Sequence, residues 1–155
     1  MSAAREPAAG DPHDLDRFVQ AQADAYKDAL SEIGSGRKQS HWMWFIFPQI
    51  DGLGFSPTAK RYAIKSRAEA QEYLAHPVLG PRLVACAEAA AGVTGKVTAL
   101  DVFGSPDDLK LRSSATLFAC VSPKGSVFDR LLDRYFYGER DPATLRLLGL
   151  SSDPQ

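Results

Sequence analysis

The sequence has few of the residues that build metal sites and disulfide frameworks. It contains two cysteines and three histidines in 155 residues, and no two histidines have the spacing of a zinc-binding motif. We therefore expect no metal site, and no motif implies a cofactor. Cys86 and Cys120 lie in apolar surroundings without CxxC spacing, which favours free, buried thiols in a reducing compartment over a disulfide.

Long apolar runs and an excess of one charge are also missing. No apolar stretch approaches the roughly 18 residues that a membrane span needs, and the first residues lack the apolar centre of a secretory leader. The net charge of −1 argues against binding to nucleic acid or to a membrane through the charge of the whole molecule. We expect a cytoplasmic protein with neither of these partners.

The length and composition are those of one globular domain. The chain is 45% hydrophobic and 24% charged, close to an ordinary soluble protein. A chain of this length buries enough surface to fold without a metal or a disulfide. The composition of its two ends predicts a disordered N-terminal tail over residues 1–13, a single helical domain over 14–150 and a C-terminal tail over 151–155.

Strand-like alternation is missing as well, whereas helix signals recur along the chain. Apolar residues at spacings of three and four from Leu15 to Ile33 predict a first helix, which Asp14 can cap. Further capping residues are expected at His76 and at Ser40, Ser56, Ser66, Thr98, Asp107 or Asp108, Ser126 and Asp141. We predict an all-α, compact and irregular domain of seven to nine helices, several of them short.

The aromatic residues are concentrated in one segment. "WMWFIF", from Trp42 to Phe47, holds both tryptophans and the only internal methionine. If the segment is helical, Trp42, Phe45 and Ile46 share one face, and we assign them to the core. Core packing does not account for the polar and aromatic residues around them, which are Lys38, His41, Trp44 and Gln49. Flat rings and basic groups together are suited to a planar anion.

Two further polar segments lie outside any obvious core. "GLGFSP" has too few glycines for a nucleotide-binding fingerprint, but Ser56 and Pro57 begin a helix whose first amides can face an anion. In "DDLKLRSS", one of Asp107 and Asp108 is expected to cap a helix. The other is expected to act as an acid or base if it lies in a cleft, or as an ordinary i,i+4 partner of Arg112 if it lies on the surface. The hydroxyl residues that follow, Ser113, Ser114 and Thr116, are expected to bond back to carbonyls of the preceding turn.

Three motifs carry a family resemblance. They are K-x-x-H-W-x-W-x-x-F-P-Q from Lys38, G-L-G-x-S from Gly52 and H-P-x-L-G-x-R-L from His76, followed by "FGSPDDLKLRSSATLF". With them the sequence resembles a bacterial family known as domain of unknown function 1810, whose members are sometimes mislabelled calpastatin. The resemblance covers about residues 14–148 and implies a compact, mainly helical fold. It implies no activity and no catalytic residues.

From these residues we expect the domain to bind a small anionic ligand with a planar, nucleotide-like moiety. The expected ligand-binding residues are Lys38, His41, Trp44, Gln49, Ser56, Arg61 and Lys110. One alternative is a module that binds a protein partner, with Trp42 and Trp44 as exposed anchors. Another is an enzyme acting on a nucleotide-like substrate, with His41 or Asp108 in proton transfer.

Overall fold

A computed structural model describes residues 10–150. The predicted C-terminal tail, and residues 1–9 of the predicted N-terminal tail, lie outside the described part. The elements are α1 Asp16–Gln22, α2 Tyr26–Gly34, α3 Met43–Ile46, α4 Pro57–Arg61, α5 Arg67–Ala75, α6 Leu79–Ala91, α7 Ala99–Phe103, α8 Asp107–Ala119, α9 Val127–Phe136 and α10 Pro142–Leu147. The all-α prediction is confirmed for these residues, which form no strand beyond an isolated bridge. The predicted count of seven to nine helices is too low.

The extra helix comes from a break in the first predicted one. At the end of α1, the amides of Ala23 and Ala25 make i→i+3 bonds, and α2 begins after this turn. The buried Gln22 side chain donates to the Phe45 carbonyl at 2.7 Å, which ties the end of α1 to α3. Neither glycine nor proline marks the break, so the apolar spacing alone predicted one continuous helix.

Helix α8 lies at the centre of the domain. It packs against α5, α7, α9 and α10, while α6 packs against α2, α5 and α9, and α1 against α3. Trp42 and Ile46 are buried in the core, as predicted, and Phe45 packs against it half-buried. Because Trp42 is only 1% exposed, its assignment as an exposed anchor for a protein partner is wrong.

Several predicted helix starts are confirmed. The Nδ1 atom of His76 accepts the Val78 and Leu79 amides at 3.0 and 3.2 Å, just before and at the start of α6. Side-chain oxygens accept a backbone amide three residues on at four predicted caps, which are Ser56, Ser66, Thr98 and Asp141. These caps are local interactions within one turn, which is why the sequence predicts them.

Other predicted caps are wrong in whole or in part. The Asp11 carboxylate, rather than Asp14, accepts the Leu15 and Asp16 amides ahead of α1. Ser126 is the N-cap residue of α9, as predicted, but its side chain makes no capping hydrogen bond. Neither Asp107 nor Asp108 is the N-cap of α8, because both lie inside the helix and Pro106 precedes it. Ser40 does not cap α3 either, because its hydroxyl donates to the Glu32 carboxylate.

Both cysteines are free, as predicted, although only Cys86 is fully buried. Burial raises the pKa of Cys86 to about 12 and also raises the pKa of the half-buried Cys120. Neither thiol is therefore activated as a nucleophile. Across residues 10–150, no helix is both long enough and apolar enough to cross a membrane.

The chain between α3 and α5 is held in place by a short parallel bridge. The Ile64 amide donates to the Gln49 carbonyl, and the Asp51 amide donates to the Ile64 carbonyl, both at 2.8 Å. The bridge brings together the ends of residues 51–63, which contain a loop and α4. We call this stretch the 51–63 segment.

Candidate functional site

A cleft of about 420 Å³ lies between the 51–63 segment, the first half of α8 and the start of α10. This volume falls within the range of about 300–1,000 Å³ that is typical of small-molecule sites. Its walls combine aromatic, apolar, cationic, amide, hydroxyl and carboxylate groups, contributed by Trp44, Gln49, Leu53, Gly54, Phe55, Ser56, Ala59, Pro106, Leu109, Lys110, Ser113, Asp141 and Ala143.

Four of the predicted ligand-binding residues line this cleft. Trp44 comes from α3, Gln49 from the residues after it, Ser56 from the cap of α4 and Lys110 from α8. The bridge at Ile50 and Ile64 and the packing around α8 bring these separate parts of the chain together. The Gln49 side chain makes no hydrogen bond to any residue in the described part, so both its donor and its acceptor are available.

Lys38 lies outside the cleft lining because internal contacts occupy its ammonium group. Its side chain is 8% exposed, and Nζ is 2.9 Å from Asp107 Oδ2. The same atom lies 4.9 Å from the ring centroid of Trp42 and donates to the Ser40 carbonyl. Lys38 therefore orders the wall behind the cleft, and we leave it out of the proposed binding site.

The remaining candidates are also outside the cleft lining. His41 and Arg61 are exposed, and the Arg61 guanidinium lies over the Tyr62 ring at 5.4 Å. Asp108 Oδ1 is buried and accepts no hydrogen bond from the described residues. Neither a hydrogen bond nor an ion pair joins His41 to Asp108 in this part of the chain. His41 and Asp108 therefore do not form a common site for proton transfer.

Lys110 provides positive charge on the cleft wall. Its Nζ atom is 5.1 Å from the ring centroid of Trp44 and 3.6 Å from Asp107 Oδ1, and its side chain is 23% exposed. Asp107 also pairs with Lys38, so two ammonium groups share one carboxylate. These three side chains together carry a single positive charge, and the contact with the indole ring limits where the Lys110 side chain can point.

The carboxylate and the apolar residues of the cleft were not predicted from the sequence. Asp141 was expected only as a helix cap, yet it also lines the cleft. Phe55 and Leu109 line it with side chains that are 80% and 61% exposed. A large apolar residue within the polar, glycine-rich loop was a signal that could have identified Phe55. Ser113 was expected to bond back along α8, which it does, to the Leu109 carbonyl at 3.3 Å.

Glu32 holds the loop that leads into α3. Its Oε1 atom accepts the Gln39 and Ser40 amides at 2.8 and 2.9 Å and the Trp42 indole N–H at 2.9 Å. Its Oε2 atom accepts the Ser40 hydroxyl at 2.6 Å. The Ser40 side chain is therefore hydrogen-bonded to Glu32 and does not cap α3. Burial acts to raise the pKa of Glu32, but these hydrogen bonds outweigh it and lower the pKa to about 2.

Replacing Glu32 with alanine is expected to lower the free energy of unfolding by about 1–2 kcal/mol near neutral pH, because the donors of Gln39, Ser40 and Trp42 lose the carboxylate that accepts their hydrogen bonds. Glutamine should cost less, since its amide oxygen still accepts. The folded pKa of about 2 is below the ordinary 4.5, so this stabilisation is complete above pH 4.5 and is lost as the pH falls towards 2. Denaturant unfolding should show the difference from wild type shrinking in acid. An equal difference at all pH values would refute this role.

Comparison with known proteins places the chain among uncharacterised relatives. Residues 12–148 match the model of a family described as "Protein of unknown function (DUF1810)". The crystal structure of the conserved hypothetical protein Rv1873 from Mycobacterium tuberculosis is similar, with a TM-score of 0.87 and 50% sequence identity. The match covers 91% of this chain and 100% of that chain. No curated protein matches the sequence. The family resemblance seen in the sequence is thus confirmed.

Proposed function

We propose that this chain, which belongs to the DUF1810 family, binds a small anionic ligand with a planar, nucleotide-like moiety in the cleft beside the 51–63 segment. One observation carries the proposal. Trp44, Gln49, Ser56 and Lys110 come from separate parts of the sequence, and all four line one cleft of ligand size.

The anionic group of the ligand is assigned to the surroundings of Lys110. The distance of 3.6 Å to Asp107 is longer than a hydrogen bond, so the ammonium group retains donors for a phosphate or carboxylate. The Ser56 hydroxyl oxygen accepts the Ala59 amide at 3.1 Å, which leaves its O–H free to donate into the cleft. Lys110 supplies the charge, and Ser56 supplies a neutral donor.

The planar moiety is assigned to the exposed apolar residues of the cleft. Lys110 already lies against the Trp44 ring at 5.1 Å, so this indole borders the ligand and also orients the cation. The Phe55 side chain is largely exposed and offers an unoccupied aromatic surface, with Leu109 as a second apolar contact. An apolar or aromatic surface on the ligand gains free energy when it covers such groups.

Titration calorimetry with adenosine 5′-monophosphate (AMP), adenosine and ribose 5-phosphate tests the proposal. We expect AMP to bind at least about tenfold more tightly than either fragment, because it satisfies both the charged and the apolar parts of the cleft. At a hundred times the dissociation constant, AMP should stabilise the fold by about 2.7 kcal/mol. The guanosine, cytidine and uridine monophosphates complete the panel. If none of the four nucleotides binds at millimolar concentration, the proposal is wrong.

A further inference from the structure

We infer that the planar moiety of the ligand carries an N–H donor and that the carboxylate of Asp141 accepts it. The inference rests on the proposed function and adds to it a requirement on the ligand. It assigns Asp141 a role in specificity that its position as a helix cap does not require.

The Asp141 carboxylate has one occupied oxygen and one available oxygen. Oδ2 accepts the Thr144 amide at 3.1 Å, the Thr144 hydroxyl at 2.6 Å and the Ser113 hydroxyl at 3.3 Å. Oδ1 accepts no hydrogen bond from residues 10–150, and the same residue lines the cleft. A carboxylate oxygen left available in a cleft selects a donor on the ligand, since it can only accept.

No cation within the described residues pairs with Asp141. The neighbouring Arg112 directs Nε and Nη2 to the carbonyls of Glu139 and Arg140, at 3.0 and 2.9 Å. The Arg140 guanidinium is directed to Asp129, at 3.4 Å. The negative charge of Asp141 therefore keeps no close partner, and an N–H donor or a protonated amine on the ligand would supply one.

The positions of Lys110 and Asp141 set the orientation of the ligand. Lys110 and Ser113 are three residues apart on α8, which is about 4.5 Å along the helix axis. Asp141 Oδ2 accepts the Ser113 hydroxyl, so the carboxylate meets α8 about one helical turn after the residue that carries the ammonium group. A ligand whose anionic group meets Lys110 turns a different edge, one that carries donors, towards Asp141.

A base with an exocyclic amine fits this requirement, and a base with acceptors alone does not. AMP and guanosine 5′-monophosphate (GMP) carry N–H donors on the edge of the base. Purine riboside 5′-monophosphate has the same ring system and the same phosphate but no N–H donor on that edge. The three compounds therefore differ in the one property that Asp141 should recognise.

Calorimetric titration of these three nucleotides tests the inference. We expect the wild-type protein to bind AMP or GMP at least about tenfold more tightly than purine riboside 5′-monophosphate. In Asp141→Asn, asparagine can still cap α10 but presents an amide in place of the available oxygen, and the preference should fall below about threefold. The matched control, Asp51→Asn, removes the same charge from a residue that does not line the cleft, and should keep the wild-type preference.

The outcomes separate this inference from the proposed function. If the three nucleotides bind the wild-type protein equally well, or if Asp141→Asn keeps the full preference, the inference is overturned while nucleotide binding stands. If no nucleotide binds, the proposed function fails and the inference fails with it. Should Asp141→Asn not fold, the ratio of affinities in the wild-type protein decides the question alone.

Discussion

Replacing Glu69 with alanine is expected to lower the free energy of unfolding by about 3–5 kcal/mol, the usual cost of breaking a buried ion pair on one side. Glu69 is 1% exposed, and its Oε2 atom is 2.7 Å from Nη2 of Arg17, whose side chain is 9% exposed. The Lys65 amide donates to Oε1 at 2.9 Å. Alanine would leave a buried guanidinium without its carboxylate and a backbone amide without its acceptor.

The same substitution should also weaken nucleotide binding in the cleft, because Arg17 holds the end of the 51–63 segment in place. Its guanidinium donates to the Arg61 and Ala63 carbonyls at 2.9 and 3.0 Å. The Arg17–Glu69 pair therefore fastens this segment to α1 and α5. Denaturant unfolding measures the loss of stability, and nucleotide titration of the folded fraction measures the effect on the cleft.

A matched control separates burial from ion pairing as such. Glu88 and Arg130 form a pair at 2.8 Å, nearly the same distance, but their side chains are 48% and 53% exposed. Glu88→Ala should leave the unfolding midpoint almost unchanged, because water screens exposed pairs. A loss below about 1 kcal/mol in Glu69→Ala would contradict this account.

Replacing Lys110 with methionine is expected to weaken AMP binding by about 2 kcal/mol, or roughly thirtyfold. Methionine keeps an unbranched side chain against Trp44 but removes the charge that we assign to the phosphate. The fold should tolerate the change, since Asp107 retains its closer partner, Lys38, at 2.9 Å. The unfolding midpoint of the variant verifies this, and calorimetry measures its affinity.

Lys60→Met is the matched control for the charge of Lys110. Lys60 is an exposed lysine on α4, close in sequence to the cleft residue Ala59, but it does not line the cleft. Its loss should change the affinity for AMP by less than about twofold if only long-range electrostatics are affected. Equal losses in the two variants would show that the net charge, and not the contact made by Lys110, determines affinity.

The fold class could be predicted from the sequence because its signals are local. Ser56, Thr98 and Asp141 each bond to an amide within the same helical turn, so a few residues contain the whole interaction. The break between α1 and α2 could not be predicted in this way. It accompanies the bond between Gln22 and the Phe45 carbonyl, which forms only when distant parts of the chain meet.

Some residues of the cleft were identified from the sequence because they had no other role there, although His41 and Arg61 were identified in the same way and do not line it. Trp44, Gln49 and Lys110 were left over after the core and the caps were assigned, and they line the cleft. Lys38 was also left over, but its partner Asp107 belongs to a distant helix, so the sequence did not show that its charge is paired. Asp141 was not predicted as a cleft residue, because its predicted role as a helix cap already explained an aspartate at this position.

The claim that nucleotides bind in this cleft is tested most directly by the indole N–H resonances of the two tryptophans. Trp44 lines the cleft, whereas Trp42 is buried and donates its indole N–H to Glu32 at 2.9 Å. In an isotope-labelled protein, with the two signals assigned through Trp44→Phe, AMP should shift the Trp44 resonance saturably while Trp42 changes little. The midpoint should match the calorimetric dissociation constant. An unchanged Trp44 resonance at saturating AMP would contradict the proposed site.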